Sequence, residues 1–342
     1  MAIPSGLGGT FGVAEETSPG TYTAPTRWFY FKKEQLALKK TTVVSEVLGA
    51  GAVHPASRRV VTAVDVSGSV DLDLTDSGGL GLLVKHSLGS TPIVSTPTAG
   101  VTKQVHAFGD PTGSALSVQV GRPSVDGSVN AFSYTGIKVD EWTLAVSTGQ
   151  IATLALTVDG VNSSISETYV APSYSGTGGS PLHFAQGSLT LGGTATTSDG
   201  EVTISGGATP AGAVKTVEIK GSTGLAKDRR TLGSLTKLEQ VRNAFVDISG
   251  TAEVEFATMD IYNEFLAGAP LSLELSFTGA EIGSTGTNAQ FNVILPAIYI
   301  DEPGGPSVEG PDILTQKVAF TAFSDGTNTP VQITIVSADT TV

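Results

Sequence analysis

Between Asp65 and Leu74 the sequence reads DVSGSVDLDL, with apolar Val66, Val70, Leu72 and Leu74 alternating with polar Ser67, Ser69, Asp71 and Asp73. A side-chain period of two belongs to a β-strand and puts one face in a core and the other in water. Asp71 and Asp73 share the wet face and repel one another, so that face is hydrated rather than interior. The pattern returns at 247–256 as DISGTAEVEF, which aligns without a gap. Asp65, Ser67 and Gly68 meet Asp247, Ser249 and Gly250, and the acids Asp71 and Asp73 meet Glu253 and Glu255. The same spacing carries Leu83 and Val84 onto Phe265 and Leu266. Both pairs fall in short helices expected over Asp76–Leu88, where Leu80, Leu83 and Val84 recur at helical spacing, and over Met259–Leu266. Four strand-like segments follow each helix.

That shared order of strand, helix and four strands predicts two copies of one module from an internal duplication. The competing explanation is convergence of two amphipathic strands. The remaining segments are short and broken by Gly, Pro and Asp, which points to antiparallel sandwiches or barrels. The fold expected is therefore mainly β: two related β-sandwich or barrel modules, each with one short helix. Residues 1–26, rich in Gly, Thr and Pro, read as an extended arm. The Gly/Ser/Pro run at 171–181 reads as the linker, giving modules over 27–175 and 176–342.

Composition narrows the function. Charged residues are 15% of the 342, and Thr, Ser, Val and Gly fill their place. No apolar run approaches the roughly 20 residues of a membrane span. The first residues lack the basic and apolar stretches of a secretory signal. With no cysteine, thiolate metal sites and disulfides are excluded. The net charge of −13, from 32 acidic and 19 basic residues, disfavours tight binding to nucleic-acid phosphate. It remains compatible with lying near DNA without adhering to it.

A search for chemistry finds none. The sequence has no nucleophile elbow, phosphate-binding loop or zinc-protease motif. His54, His86, His106 and His183 share no ligand spacing. No catalytic residue, cofactor or metal is expected. Each acidic pair lies on one strand, and aromatics are 6% of the chain, which does not suit a glycosidase cleft. Two non-catalytic alternatives are a β-sandwich binding module for carbohydrate or a receptor, and a capsid decoration protein.

Several stretches, taken in order, carry a family likeness. They are Gly20-Thr21-Tyr22-Thr23-Ala24-Pro25-Thr26-Arg27 before an aromatic strand, Asp65-Val66-Ser67-Gly68 with its acidic strand, and Ser117-Val118-Gln119-Val120-Gly121-Arg122. Phe132 to Val139, Pro306 to Ile313 and Gln316 to Phe320 continue the series. Through most of its length the chain resembles the tail tube (major tail) proteins of long-tailed bacteriophages, of the siphophage-type, double-length kind. The resemblance implies a structural virion protein that self-assembles into stacked rings, forming a hollow tube for DNA ejection. It implies assembly in the bacterial host cytoplasm. The expected partners are further copies of the chain, tape measure and tail terminator or tip proteins, and DNA in transient passage, with no membrane.

Given two modules per chain, a trimeric ring with pseudo-six-fold symmetry is expected in preference to a hexamer. Asp71, Asp73, Glu253 and Glu255 are expected to line the lumen, where acid repels phosphate within about 8 Å at physiological salt. Periodicity alone leaves the outer surface of the tube open to them. The arm with the adjoining Trp28, and the charged segment 226–242 with Asp228, Arg229 and Arg230, are the expected inter-ring contacts.

Overall fold

In a computed structural model, residues 5–48, 53–54, 56–174, 179–303, 308 and 310–342 are described. The boundary expected at 175/176 and part of the Pro306–Ile313 stretch lie outside them.

The first half contains β1 (Thr10–Glu15), β2 (Arg27–Phe29), β3 (Lys33–Glu34), β4 (Ala37–Val44) and β5 (Arg59–Asp73). After them come α1 (Leu80–Leu88), β6 (Ile93–Thr98), β7 (Val101–Ala107), β8 (Leu116–Pro123), β9 (Val129–Ser147), β10 (Thr153–Gly160) and β11 (Asn162–Ser164). The second half contains β12 (Gly187–Leu191), β13 (Thr194–Ser198), β14 (Glu201–Ser205), β15 (Val214–Ser222) and β16 (Asp247–Glu255). It continues with α2 (Asp260–Ala267), β17 (Leu271–Glu281), β18 (Asn288–Pro303), β19 (Thr315–Phe323) and β20 (Gln332–Ser337). The chain is mainly β, as expected, and every strand pair is antiparallel.

The architecture turns on two long strands. β9 pairs with β8 and β11 through its first part and with β10 and β15 through its second. β18 likewise pairs with β17 and β20 early and with β19 late. Each long strand therefore belongs to two sheets and turns the corner between them, and the inner faces close over one core. Both long strands belong to a continuous sheet in the order β4, β5, β10, β9, β15, β16, β19, β18. Its buried face is continuous too: Leu72, Leu154, Leu144, Ile219, Gly250 and Phe320 lie in register across six strands. Phe320 occupies the space a side chain on Gly250 would need, and Trp142 fills the space over Gly221.

Six strand pairings of the first half map onto six of the second. β1–β8, β4–β5, β5–β10, β10–β9, β9–β8 and β9–β11 correspond to β12–β17, β15–β16, β16–β19, β19–β18, β18–β17 and β18–β20. The match extends to an irregularity. β9 slips register by one residue at Asp140, and β18 slips at the corresponding Asp301. Such a bulge inserts one extra residue and bends the strand. The four segments after each helix correspond with a shift of one, because the hairpin β6–β7 has no counterpart after α2.

Two sequence expectations meet a different arrangement. Thr10–Glu15, within the stretch read as an arm, is a strand between β2 and β8 with five of its six residues buried. Phe11 and Val13 supply enough apolar surface to dock it, despite the Gly- and Thr-rich surroundings. The halves are also not separate bodies. β7, early in the chain, pairs with β20. Asp339 accepts hydrogen bonds from Gly78 N (3.1 Å) and Gly79 N (2.9 Å) at the start of α1.

Candidate functional site

The outer face of the eight-stranded sheet brings the predicted acids together. Residues opposed across antiparallel strands point to the same side. Asp73, Thr153, Ala145, Glu218, Thr251 and Ala319 form one row across that face, and Asp71, Ala155, Thr143, Lys220, Ser249 and Thr321 form the next. Glu253 and Glu255 lie on the same side, further along β16. All four predicted acids are half-buried, while Leu72 and Val254 between them are buried in the core. The alternation that made these strands legible thus places both acidic pairs on one wet surface.

The acids are not unopposed. Lys32 Nζ lies 2.5 Å from Asp73 Oδ1, Lys215 pairs with Glu255, and Lys317 stands directly across from Glu253. Partly exposed pairs of this kind contribute little stability, about 0–1 kcal/mol each. Ser, Thr and Ala separate the charges. The face is therefore hydrated, and Lys32, Lys215 and Lys317 are each matched by an acid, which weakens their hold on phosphate.

At one end of this face lies the segment 226–242, whose cations bond back onto the fold. Arg230 Nη2 donates to Asp65 Oδ1 at 2.6 Å, and Arg229 Nη1 donates to the Glu239 carbonyl at 2.6 Å. Lys237, with a side chain 1% exposed, donates to Asp159 Oδ2 at 2.6 Å, and buried Gln240 donates to the same oxygen at 2.9 Å. From the sheet, Lys138 reaches Glu239 at 2.6 Å, and Lys227 pairs with Asp140 at the bulge. Burial pulls the Lys138 ammonium below its ordinary range, against the opposing pull of Glu239. Arg242 stacks 4.4 Å from the ring centroid of Phe108. Second-half charges thus clamp first-half carboxylates. Asp228 is exposed. Trp28, half-buried on β2, pairs with Gly12, and its Nε1 would lie 3.0 Å from a β-carbon there.

Asp65, Lys138, Asp140 and Asp159 were not among the expected site residues. Their signal was available: Lys138 and Asp140 alternate with Ile137 and Val139 in a strand-like segment and are themselves buried, and charges in a core strand require partners. Elsewhere, Glu15 accepts from Lys85 Nζ (2.6 Å) and lies 3.0 Å from His86 Nε2. The His86 hydrogen bond, with help from Lys85, holds the Glu15 carboxyl down to about 2 against its own desolvation. Among the described residues no group of His, Cys, Asp or Glu is placed to hold a metal ion.

The hydrated sheet face is backed by a core that spans both halves. The family model for the phage tail tube protein matches residues 6–322. The chain belongs to the phage tail tube protein family. No curated protein matches the sequence. Membership makes this a viral structural protein that associates into a tube with other tail components in the virion. No helix among the described residues is long and apolar enough to cross a membrane.

Proposed function

We propose that three copies of this chain close into a ring with pseudo-six-fold symmetry, that rings stack, and that DNA is ejected through the resulting lumen. The observation that carries this reading is the continuous sheet with one apolar and one hydrated face. Three such sheets joined edge to edge make a barrel of about 24 strands. With strands about 4.8 Å apart and tilted about 40°, its backbone diameter is about 50 Å. Six copies would double it. The smaller barrel is the one that encloses a nucleic-acid duplex closely.

In this arrangement Asp71, Asp73, Glu253 and Glu255 line the lumen, where they offset Lys32, Lys215 and Lys317 and leave DNA little adhesive contact. The correspondence of six strand pairings between the halves supports an origin by duplication, which makes three chains equivalent to six modules. Trp28 and Asp228 remain the proposed inter-ring contacts, whereas Arg229 and Arg230 act there through the segment they brace. Tape measure and terminator or tip proteins are the other proposed partners, with assembly in the host cytoplasm.

The test is the mass of isolated rings, taken with end-on electron micrographs. A mass of three chains and a six-lobed hollow ring are expected. A mass of six chains would overturn the trimer, and a chain that forms neither rings nor tubes with its tail partners would overturn self-assembly.

A further inference from the structure

One of the joints between the halves, β9 with β15, lies inside the eight-stranded sheet, and it describes the joint to the next copy. Within the chain, β15 lies along the second part of β9, with Glu218 opposite Ala145, Gly221 opposite Trp142 and Ser222 opposite Glu141. Thr223 then closes the joint: its N–H donates to the Asp140 carbonyl at 2.8 Å, on the bulge. Each participant has a counterpart. β15 corresponds to β4, through their registers on the repeated strands β16 and β5. The bulged part of β9 corresponds to the bulged part of β18.

Those two counterparts are the outer edges of the eight-stranded sheet. Among the described residues, β4 pairs only with β5, and the stretch from Tyr299 onward in β18 pairs only with β19. They cannot meet within one chain, because six strands separate them, at about 4.8 Å per step. A strand edge with unpaired N–H and C=O groups is a template for another chain.

We propose that β4 of one copy pairs antiparallel with the bulged end of β18 of the next copy, in the register of the internal β15–β9 joint. Carrying that register across sets Lys39 opposite Glu302 and brings the N–H of Lys40 to the carbonyl of Asp301. The charges agree with this placement. Lys39 and Lys40 are exposed cations, and Asp301 and Glu302 are exposed acids. The internal joint uses the same pairing of signs where Lys227 meets Asp140. β4 has no residue buried, and its edge-strand lysines discourage wrong pairings while matching this acidic partner. The partner is a second copy of the chain, so the inference rests on the ring reading above and specifies its seam.

The absence of native cysteine permits a direct test. Directly opposed strand residues have Cα atoms about 4.5–5.5 Å apart, within disulfide range. A full-length chain carrying Lys39→Cys and Glu302→Cys, assembled and then oxidised, is expected to give a covalent ladder that stops at the subunit number of the ring. Lys39→Cys and Glu302→Cys chains mixed as singles should give only the two-chain product. Rings of normal mass with no cross-link would overturn the proposed seam and leave self-assembly standing. A wild-type chain that builds no ring in the same mass measurement would overturn both. A second measurement uses charge alone. Lys39→Glu with Lys40→Glu should prevent ring formation, and adding Asp301→Lys with Glu302→Lys should restore it. If the first pair of substitutions leaves ring formation unchanged, the charge match plays no part and the proposal fails.

Discussion

Gly68 and Leu36 stand so close that a β-carbon on the glycine would lie 2.6 Å from Leu36 Cα. At the equivalent position of the second half, a β-carbon on Gly250 would lie 2.5 Å from the Glu218 carbonyl oxygen. The glycines of the two Ser-Gly repeats therefore set the approach of β3–β4 to β5 and of β15 to β16. Gly68→Ala and Gly250→Ala should each lower stability by about 1–3 kcal/mol through overpacking. Denaturant unfolding of the monomeric chain reads this directly. Unchanged midpoints would show that the adjacent strands shift freely.

The Lys237–Asp159 pair is buried on both sides, so truncating one partner strands the other. Lys237→Ala is expected to cost about 3–5 kcal/mol. The double change Lys237→Met with Asp159→Leu removes both charges and should recover most of that loss. Urea midpoints of the three chains decide it, with the double variant falling below the single as the outcome that refutes the argument.

Acid should weaken the fold in two steps with one sign. Burial pushes His106 down to about 3 from its ordinary 6.5, with a smaller push from Lys85. The unfolded chain binds that proton first, so this contribution is complete above about pH 6.5 and is lost as pH falls toward 3. Its limiting slope is about 1.4 kcal/mol per pH unit. Glu15, held at about 2 against an ordinary 4.5, adds a loss in the same direction at lower pH. His106→Gln should flatten the upper limb by one proton, as read from unfolding free energies between pH 7 and 4.

Reversing the acidic face tests its orientation. Asp71, Asp73, Glu253 and Glu255 all changed to Lys should permit tube assembly yet slow DNA ejection, with partial recovery as salt rises and weakens phosphate contacts. Single-particle ejection kinetics provide the measurement. Normal kinetics from fully assembled tails would place the face on the exterior.

The alternation at β5 and β16 was legible because a one-sided sheet imprints its period on sequence; α1 announced itself by apolar spacing, and α2 stands at the same offset from its strand. The sheet that unites Asp71 with Glu253 was not legible, since it depends on β9 meeting β15 across a long sequence separation. The bulge at Asp140 was hidden for a related reason: one extra residue changes pairing without changing local composition. The charged segment 226–242 read as a surface for other molecules because its partners, Asp65 and Asp159, lie far away in sequence. β1 was missed because Phe11 and Val13 are sparse apolar marks among glycines.

The pairing of β7 with β20 has a consequence for synthesis. A ribosome delivers β7 long before β20, so one edge of an early hairpin waits while the intervening strands emerge. The second sandwich cannot close around its own residues alone, and its completion is tied to late translation. A nascent chain stalled before β20 should remain open to chaperones, and only the finished product should gain the rigidity that stacking requires.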